Sequence, residues 1–202
     1  MPMSPLTPAT LCARWSAGAP DPRATRRALM VLLGAGGLAL ATPSSATAQE
    51  VPEVPIGGLL RDAPLQGLNG PSRRLAQFRG RPLLINVWAS WCGPCIEEMA
   101  SIERLAWTEG RPPFAMIGVS TDDYPEPARA FLRRSNATIS HFIDHALQIE
   151  NMLGAKKIPL TVLVGADGRV LDKIYGAREW DGTESLQLLA RVYGRGRTVA
   201  DR

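Results

Sequence analysis

Two cysteines separated by two residues are the most reactive feature of the chain. They lie in Trp91-Cys92-Gly93-Pro94-Cys95, where an apolar run of strand length, Leu83 to Ala89, meets a helical pattern that begins near Ile96. A thiol at the first turn of a helix faces unpaired backbone N–H groups and the positive end of the helix dipole, and both stabilise the thiolate. This spacing lets the sulfurs meet, so one thiol can attack a disulfide and the other can resolve the mixed disulfide.

The two cysteines are expected to differ in their roles. Cys92 lies nearer the loop, so we expect it to be the exposed nucleophile, with Cys95 more deeply buried. Pro94 suits the first helical turn, where its missing N–H costs no hydrogen bond. Two other interpretations stay open at this point: half of a zinc site, which would lack its second pair of ligands, and two inert core cysteines.

Hydrophobic periodicity predicts the elements that must position this pair. Short apolar runs predict strands over four segments: 83–89, 114–120, 160–164 and 170–175. Apolar residues at three- and four-residue steps predict helices over four more: 96–106, 127–134, 146–153 and 183–193. Gly165 to Gly168 predicts a tight turn between the last two strands. Strands that alternate with helices before a final hairpin predict an α/β fold around a mixed sheet.

The first 48 residues have the pattern of an export signal. Arg26-Arg27 precede an uncharged apolar stretch, residues 28–41, which is too short for a bilayer span of about 20 residues. Ala46-Thr47-Ala48 has the small residues of a cleavage site, so we expect the mature chain to begin at Gln49. Thr25 to Leu29 resembles a twin-arginine signal, although a general secretory signal fits nearly as well. An uncleaved signal that anchors the chain in the inner membrane is the alternative.

After cleavage, composition divides the chain into three parts. Proline and glycine predict a linker over residues 49–58, followed by one domain over 59–194 and a short tail over 195–202. Cys12 would leave with the signal, so the mature chain would keep only Cys92 and Cys95. A disulfide between them would close too small a loop to stabilise the fold. In an oxidising compartment we therefore expect the pair to be redox-active.

Charge limits the classes of partner. Of the 202 residues, four of the 23 basic ones and one of the 19 acidic ones precede position 49, which leaves 19 basic and 18 acidic residues beyond it. A domain this balanced has no global field to hold nucleic acid or an anionic membrane, so neither is expected as a partner. No stable membrane span is expected in the mature chain.

The ordered motifs resemble the thioredoxin superfamily and, within it, the exported bacterial TlpA/ResA-like thiol–disulfide oxidoreductases. The resemblance covers roughly residues 60–193 and rests on four segments: Phe78 to Cys95, Glu97-Glu98-Met99, Ile158 to Val164, and Asp167-Gly168-Arg169-Val170. It implies a thioredoxin-like fold in which a mixed central sheet is flanked by helices. It also implies an inserted strand–helix element around Ile139 to Leu153, before the strand that follows Pro159.

The resemblance further implies how a client is held. Pro159 would be a cis-proline beside the cysteines, and the backbone of Ile158 would pair with a client segment; proline is the residue that commonly allows a cis peptide. Trp91, Gly93 and Pro94 are expected to form the rest of the substrate-binding surface, with a packing role as the alternative for Trp91. Neither a cofactor nor a metal is implied. His141 and His145 have helical ligand spacing, but they fall in an expected strand and turn.

One departure from ordinary thioredoxins concerns proton transfer. Thioredoxins carry a buried aspartate six residues before the first cysteine, whereas this chain has Asn86, which cannot titrate. Glu98 matches the acid that ResA-like proteins carry on the helix, on roughly the same face as Cys95. A semi-buried carboxylate has a raised pKa and can serve as the base, so Glu98 is predicted to be catalytic. A solvated surface acid is the alternative.

By the same resemblance, the chain is expected to reduce protein disulfides in the periplasm, with electrons from an inner-membrane thiol donor. Clients would be apocytochrome c cysteines or the copper-site cysteines of an oxidase assembly factor. The Gly93-Pro94 dipeptide is the one found in reducing thioredoxins. Two alternatives are a dithiol oxidase or isomerase, and a non-enzymatic copper-handling protein that binds the metal through Cys92 and Cys95.

Overall fold

The computed structural model describes residues 52–108 and 112–200, with side chains described as far as residue 194. The predicted signal peptide, residues 1–48, lies outside the described residues, as do the first residues of the predicted linker. No helix in the part of the chain that the structure describes is long and apolar enough to cross a membrane.

A seven-stranded mixed sheet forms the centre of the domain, in the order β2-β1-β5-β4-β3-β6-β7. Its strands are β1 (Pro64–Gly67), β2 (Arg73–Arg74), β3 (Leu83–Trp88), β4 (Ala115–Ser120), β5 (Ser140–Ile143), β6 (Leu160–Val164) and β7 (Val170–Tyr175). Strands β3, β4 and β5 are parallel to one another, and β6 and β7 continue the sheet as an antiparallel hairpin. The sheet is therefore mixed, as expected.

In the described residues, four α-helices and one 3-10 helix accompany the sheet. They are the 3-10 helix (Leu75–Phe78), α1 (Gly93–Ala106), α2 (Pro125–Arg134), α3 (Gln148–Leu153) and α4 (Thr183–Ala200). Strand β5 and helix α3 fall in the segment where the inserted strand–helix element was expected. Helix α2 begins at Pro125, earlier than predicted, because proline is well suited to the first helical turn.

Strand β3 organises both layers of the core because side chains alternate across a strand. Leu83, Ile85 and Val87 pack into one apolar cluster that includes residues of α3. Leu84 packs on the other side among residues of α1 and α4, and Trp88 packs there against α1 and α2. All six residues of β3 are buried, and five of them are apolar, as expected for a strand covered on both faces; the exception is Asn86. Its carboxyl end leads directly into the cysteine pair.

The predicted linker is wrong in its described part, because residues 52–58 pack against the domain as a strap. Val54 is buried in the cluster beneath α3, and its N–H donates to the Met152 carbonyl at 2.8 Å. The Gly57 N–H donates to Val170, at the start of β7. Glu53 also lies 2.6 Å from the ammonium group of Lys173. Although this segment is rich in proline and glycine, it packs along the surface of the domain and is not a free linker.

The carboxyl end of the domain also differs from prediction. Helix α4 runs to Ala200, whereas the sequence pattern predicted a helix that ends at Tyr193 and a tail from residue 195. The sequence pattern did not predict this extension, because Gly194-Arg195-Gly196-Arg197 contains no apolar side chain that would continue the helical periodicity. The backbone nevertheless continues as a helix in the described residues.

Candidate active site

The cysteine pair lies where β3 passes into α1. Cys92 is the N-cap of the helix and is joined to Cys95 by a disulfide, with their Cα atoms 5.2 Å apart. The Cys95 N–H points at the Cys92 sulfur, 3.3 Å away. The first N–H groups of a helix have no intrahelical partners, and here one of them donates a hydrogen bond to the sulfur of Cys92. The predicted location of the pair is confirmed.

The two sulfur-bearing residues differ less in exposure than the sequence suggested. Cys95 is fully buried, and Cys92 retains only 7% of its surface in the disulfide state. The order of exposure is as expected, but the prediction that Cys92 is openly exposed is wrong for this state. Its sulfur is bonded to Cys95, and both cysteines belong to an apolar cluster against which Ile158 packs.

A cis peptide bond joins Ile158 to Pro159, immediately before β6. Strand β6 is the antiparallel neighbour of β3, and Leu160 pairs with Val87 near the end that leads to the cysteines. This places the cis-proline beside the disulfide, as expected. The pairing of the Ile158 backbone with a client stays a prediction.

The surface around Cys92 is open and partly apolar. Trp91 is 71% exposed, although tryptophan is usually buried in folded proteins. Pro94 is exposed, and a Cβ on Gly93 would have no atom within 4 Å apart from those of the adjacent residues and the nearby backbone of the helix. These positions suit contact with another chain, but their role in client binding stays a prediction.

A buried aspartate that sequence reasoning missed ties the cysteine loop to its neighbour. Asp122 accepts hydrogen bonds from the Ser90 N–H at 3.0 Å, the Ser90 hydroxyl at 2.6 Å and the Ser120 hydroxyl at 2.6 Å. Ser90 follows β3 and Asp122 follows β4, so the bonds connect the loops at the carboxyl ends of two parallel strands. The only signal in the sequence was the polar segment after each apolar run.

Glu98 is the buried acid of the site, with 3% of its surface exposed. Its carboxylate accepts a hydrogen bond from Asn86 Nδ2 at 3.3 Å, one from the Thr161 hydroxyl at 3.5 Å, and one from the indole N–H of Trp180. Burial raises the pKa of the Glu98 carboxyl from its usual 4.5 to about 7, and these hydrogen bonds offset part of that rise. The surface-acid alternative is therefore wrong; the catalytic role stays a prediction.

Register explains why these groups meet. Asn86 on β3 pairs with Thr161 on β6, and the Asn86 amide donates to the Thr161 hydroxyl at 3.1 Å. Both side chains lie under α1, where Glu98 follows Cys95 by one helical turn. The sequence identified Glu98 and Asn86 but not Thr161 or Trp180, because only the tertiary fold brings the last two to the carboxylate.

Metal-binding groups do not assemble elsewhere in the described chain. His141 is buried in β5, whereas the ring of His145 lies in the following loop, with Nδ1 2.9 Å from the Asp123 carbonyl oxygen. Over residues 52–108 and 112–200, no group of three or more His, Cys, Asp or Glu side chains is placed to hold a metal ion.

Known proteins are similar to this chain in sequence. The redoxin family matches residues 46–187. The thiol-disulfide oxidoreductase ResA of Geobacillus kaustophilus is 28% identical over 148 residues, 73% of this chain and 83% of the relative. ResA of Geobacillus thermodenitrificans is 28% identical over 123 residues, 61% of this chain and 71% of the relative.

Solved structures show the same architecture. A Chlorobium tepidum protein assigned as a thiol:disulfide interchange protein, DsbE, superposes with a TM-score of 0.63 at 24% identity, covering 69% of this chain and 99% of that one. StoA from Bacillus subtilis superposes with a TM-score of 0.55 at 15% identity, covering 63% and 93%. The expected thioredoxin-like fold is confirmed.

A thioredoxin-like fold with a disulfide at the start of α1 and a cis-proline beside it defines the class of thiol–disulfide oxidoreductases. Within that class, the chain belongs to the redoxin family and is ResA-like.

Proposed function

We propose that the chain is an exported reductase of protein disulfides that cycles Cys92 and Cys95 between dithiol and disulfide. The observation that carries the proposal is the position of Cys92 at the N-cap of α1, with the Cys95 N–H directed at its sulfur. In the reduced protein, this N–H and the helix dipole favour the Cys92 thiolate, which is the form that attacks disulfides.

The first half of the cycle forms a mixed disulfide. The Cys92 thiolate attacks one sulfur of the client disulfide, and the other client sulfur leaves as a thiolate that takes up a proton. In the second half, Cys95 loses its proton and its thiolate attacks the Cys92 sulfur. The Cys92–Cys95 disulfide forms, and the second client sulfur leaves and is protonated. The client gains two electrons and two protons, and the dithiol loses them.

Glu98 is the group that accepts the Cys95 proton. It lies one helical turn beyond Cys95 on α1, with its side chain almost fully buried. A carboxyl with a pKa of about 7 is ionised in part of the population at neutral pH and still binds a proton there. Asn86 occupies the position of the thioredoxin aspartate and donates to Glu98, so it orients the base without titrating.

The direction of electron flow follows from the reduction potential of the pair. Gly93-Pro94 is the dipeptide of reducing thioredoxins, whose potential is about −270 mV, compared with about −120 mV for the oxidant DsbA. A reductase in the oxidising periplasm needs its own source of electrons, which we assign to an inner-membrane thiol donor. The signal pattern of residues 1–48 supports export, with an uncleaved anchor as the alternative.

The clients we propose carry cysteine pairs that must be reduced before a cofactor can be attached. Apocytochrome c and the copper-site cysteines of an oxidase assembly factor both fit this description. The names of the ResA and DsbE relatives support the same class of reaction, thiol–disulfide exchange. Exposed Trp91 would contact such a client next to the reacting sulfur.

Trapping tests this proposal. With Cys95→Ser, the mixed disulfide cannot be resolved, so covalent client complexes should accumulate through Cys92 in periplasm from the native host. Cys92→Ser is the matched control and should form no complexes and turn over no disulfide substrate.

Each other outcome identifies an alternative. Rapid oxidation of a reduced, unfolded client by the disulfide form, without reductase activity, would support an oxidase or isomerase. Tight Cu(I) binding that depends on Cys92, without disulfide reduction, would support copper handling.

A further inference from the structure

Trp180 is a fully buried tryptophan in the loop between β7 and α4. Its indole N–H donates to Oε1 of Glu98, and its backbone N–H donates to the Ser101 hydroxyl at 2.9 Å. Ser101 belongs to α1, one turn beyond Glu98, and its own hydroxyl donates to the Glu98 carbonyl at 2.7 Å. The loop is therefore attached to the helix by both the main chain and the side chain of Trp180.

We propose that Trp180 is a positioning residue for proton transfer: its indole N–H fixes the Glu98 carboxylate in orientation and favours the ionised form that accepts a proton from Cys95. This inference rests on the proposed role of Glu98 as the base. The inference adds Trp180 to the residues of the site. Trp180 lies in the loop between β7 and α4, which contains none of the cysteine, cis-proline and Glu98 motifs.

The indole group of tryptophan has a hydrogen-bonding property that suits this role. Indole N–H is a donor only, so it can bond an ionised carboxylate but has no lone pair for a protonated one to donate to. The other side-chain donors are weaker partners, because Asn86 also donates to Thr161 and the Thr161 hydroxyl lies 3.5 Å from the carboxylate. Removing the indole donor would leave a buried, ionised carboxylate with one hydrogen bond fewer.

The surroundings of Glu98 include a polar cleft that could lead a proton to solvent. A polar cleft of about 290 Å³ runs beside Glu98 between α1 and this loop. Its lining residues are Glu97, Glu98, Ser101, Arg104, Ala177, Arg178 and Glu179. The sheet side of Glu98 presents the neutral groups Asn86 and Thr161. The charged side chains of Glu97, Arg104, Arg178 and Glu179 line the cleft, whereas Cys95 is the other titratable group on the helix near Glu98.

These neighbouring charges are largely compensated. Arg104 contacts Asp181 at 2.5 Å and Glu179 at 3.7 Å, and the Arg178 backbone lies against the Glu98 carboxylate. Glu97 and the Arg178 side chain face the same cleft in solvent. Water screens the charges in the cleft, and Trp180→Phe removes the indole contact without changing the local charge.

Trp180→Phe is the direct test, since it keeps most of the apolar volume and deletes the donor. We expect the pKa of Glu98, followed by ¹³C NMR of its carboxyl carbon, to rise by about one unit. The midpoint of the pH profile for Cys95 resolution should rise by the same amount. In a Glu98→Gln background, Trp180→Phe should produce no shift in that profile.

Trp88→Phe is the matched control. Trp88 is equally buried and lies near the cysteines, but its indole N–H has no hydrogen-bond partner in the described structure. Its replacement should leave the Glu98 pKa unchanged. If Trp180→Phe does not fold, Ser101→Ala provides a second variant, because it releases the Trp180 backbone and should raise the Glu98 pKa by a smaller amount.

An unchanged Glu98 pKa in a folded Trp180→Phe protein, or an equal shift in Trp88→Phe, would overturn the inference. Failure of the proposed function is distinguishable: Glu98→Gln would then leave the pH profile of exchange unaltered. The NMR comparison would still report on the Trp180 contact in that case.

Discussion

At the scale of single residues, Glu98 links stability to pH. Its carboxyl has a pKa of about 7 in the folded protein, compared with 4.5 for an ordinary glutamate, so the folded state binds this proton more tightly than the unfolded state. The contribution of Glu98 to stability is therefore greatest below about pH 4.5 and is lost as pH rises through about 7. The shift corresponds to about 3 kcal/mol.

Urea unfolding of the oxidised protein from about pH 4 to pH 8 measures this effect. The free energy of unfolding of the native chain should fall by about 3 kcal/mol relative to Glu98→Gln across that range, since glutamine does not titrate. The difference between the two proteins isolates Glu98 from other titrating groups. A constant difference at all pH values would show that the carboxyl does not have a raised pKa.

Also at this scale, sequence reasoning located the groups that have a local signature. Cys92, Cys95 and Pro159 were identified by spacing and resemblance, and the structure places them together at one end of β3 and β6. Trp180 and Asp122 were missed because their roles come from contacts with residues distant in the chain. No pattern within a short window indicates that a tryptophan will donate to a carboxylate.

At the scale of elements, the strap of residues 52–58 is the main departure from prediction. Its composition is that of a linker, yet Val54 enters the core and the backbone bonds to Met152 and to Val170. Composition reports the local chain preference and cannot show which apolar side chain finds a groove. Strands β1 and β2 were also not predicted; each is short and lies at one side of the sheet, where the periodic signal is weak.

The strap should contribute measurably to stability. Val54→Ala removes two buried methyl groups and should lower the free energy of unfolding by about 2 kcal/mol. Ile56→Ala is the matched control, because Ile56 is 60% exposed and its truncation should have little effect. Chemical denaturation of both variants gives the comparison. Equal stabilities would mean that the strap is not packed as described.

At the scale of the whole molecule, the alternation of strands and helices was sufficient to predict the fold class. Leu160 to Val164 and Val170 to Tyr175 have the predicted bounds, because a glycine-rich turn separates two clear apolar runs. The alternation of strands and helices could not predict the strand order. The inserted β5 lies between β1 and β4 in the sheet, and β1 is far from both of these strands in the sequence. The resemblance supplied the inserted strand–helix element but no strand order.

The whole domain sets one quantity on which the proposed function depends, the reduction potential of the Cys92–Cys95 couple. Equilibration of the purified protein with a defined thiol–disulfide buffer at about pH 7, followed by alkylation and mass measurement, gives this value directly. We expect a reducing potential close to the thioredoxin value of about −270 mV. A potential above about −150 mV, near that of the oxidant DsbA, would contradict the assignment of this chain as a reductase.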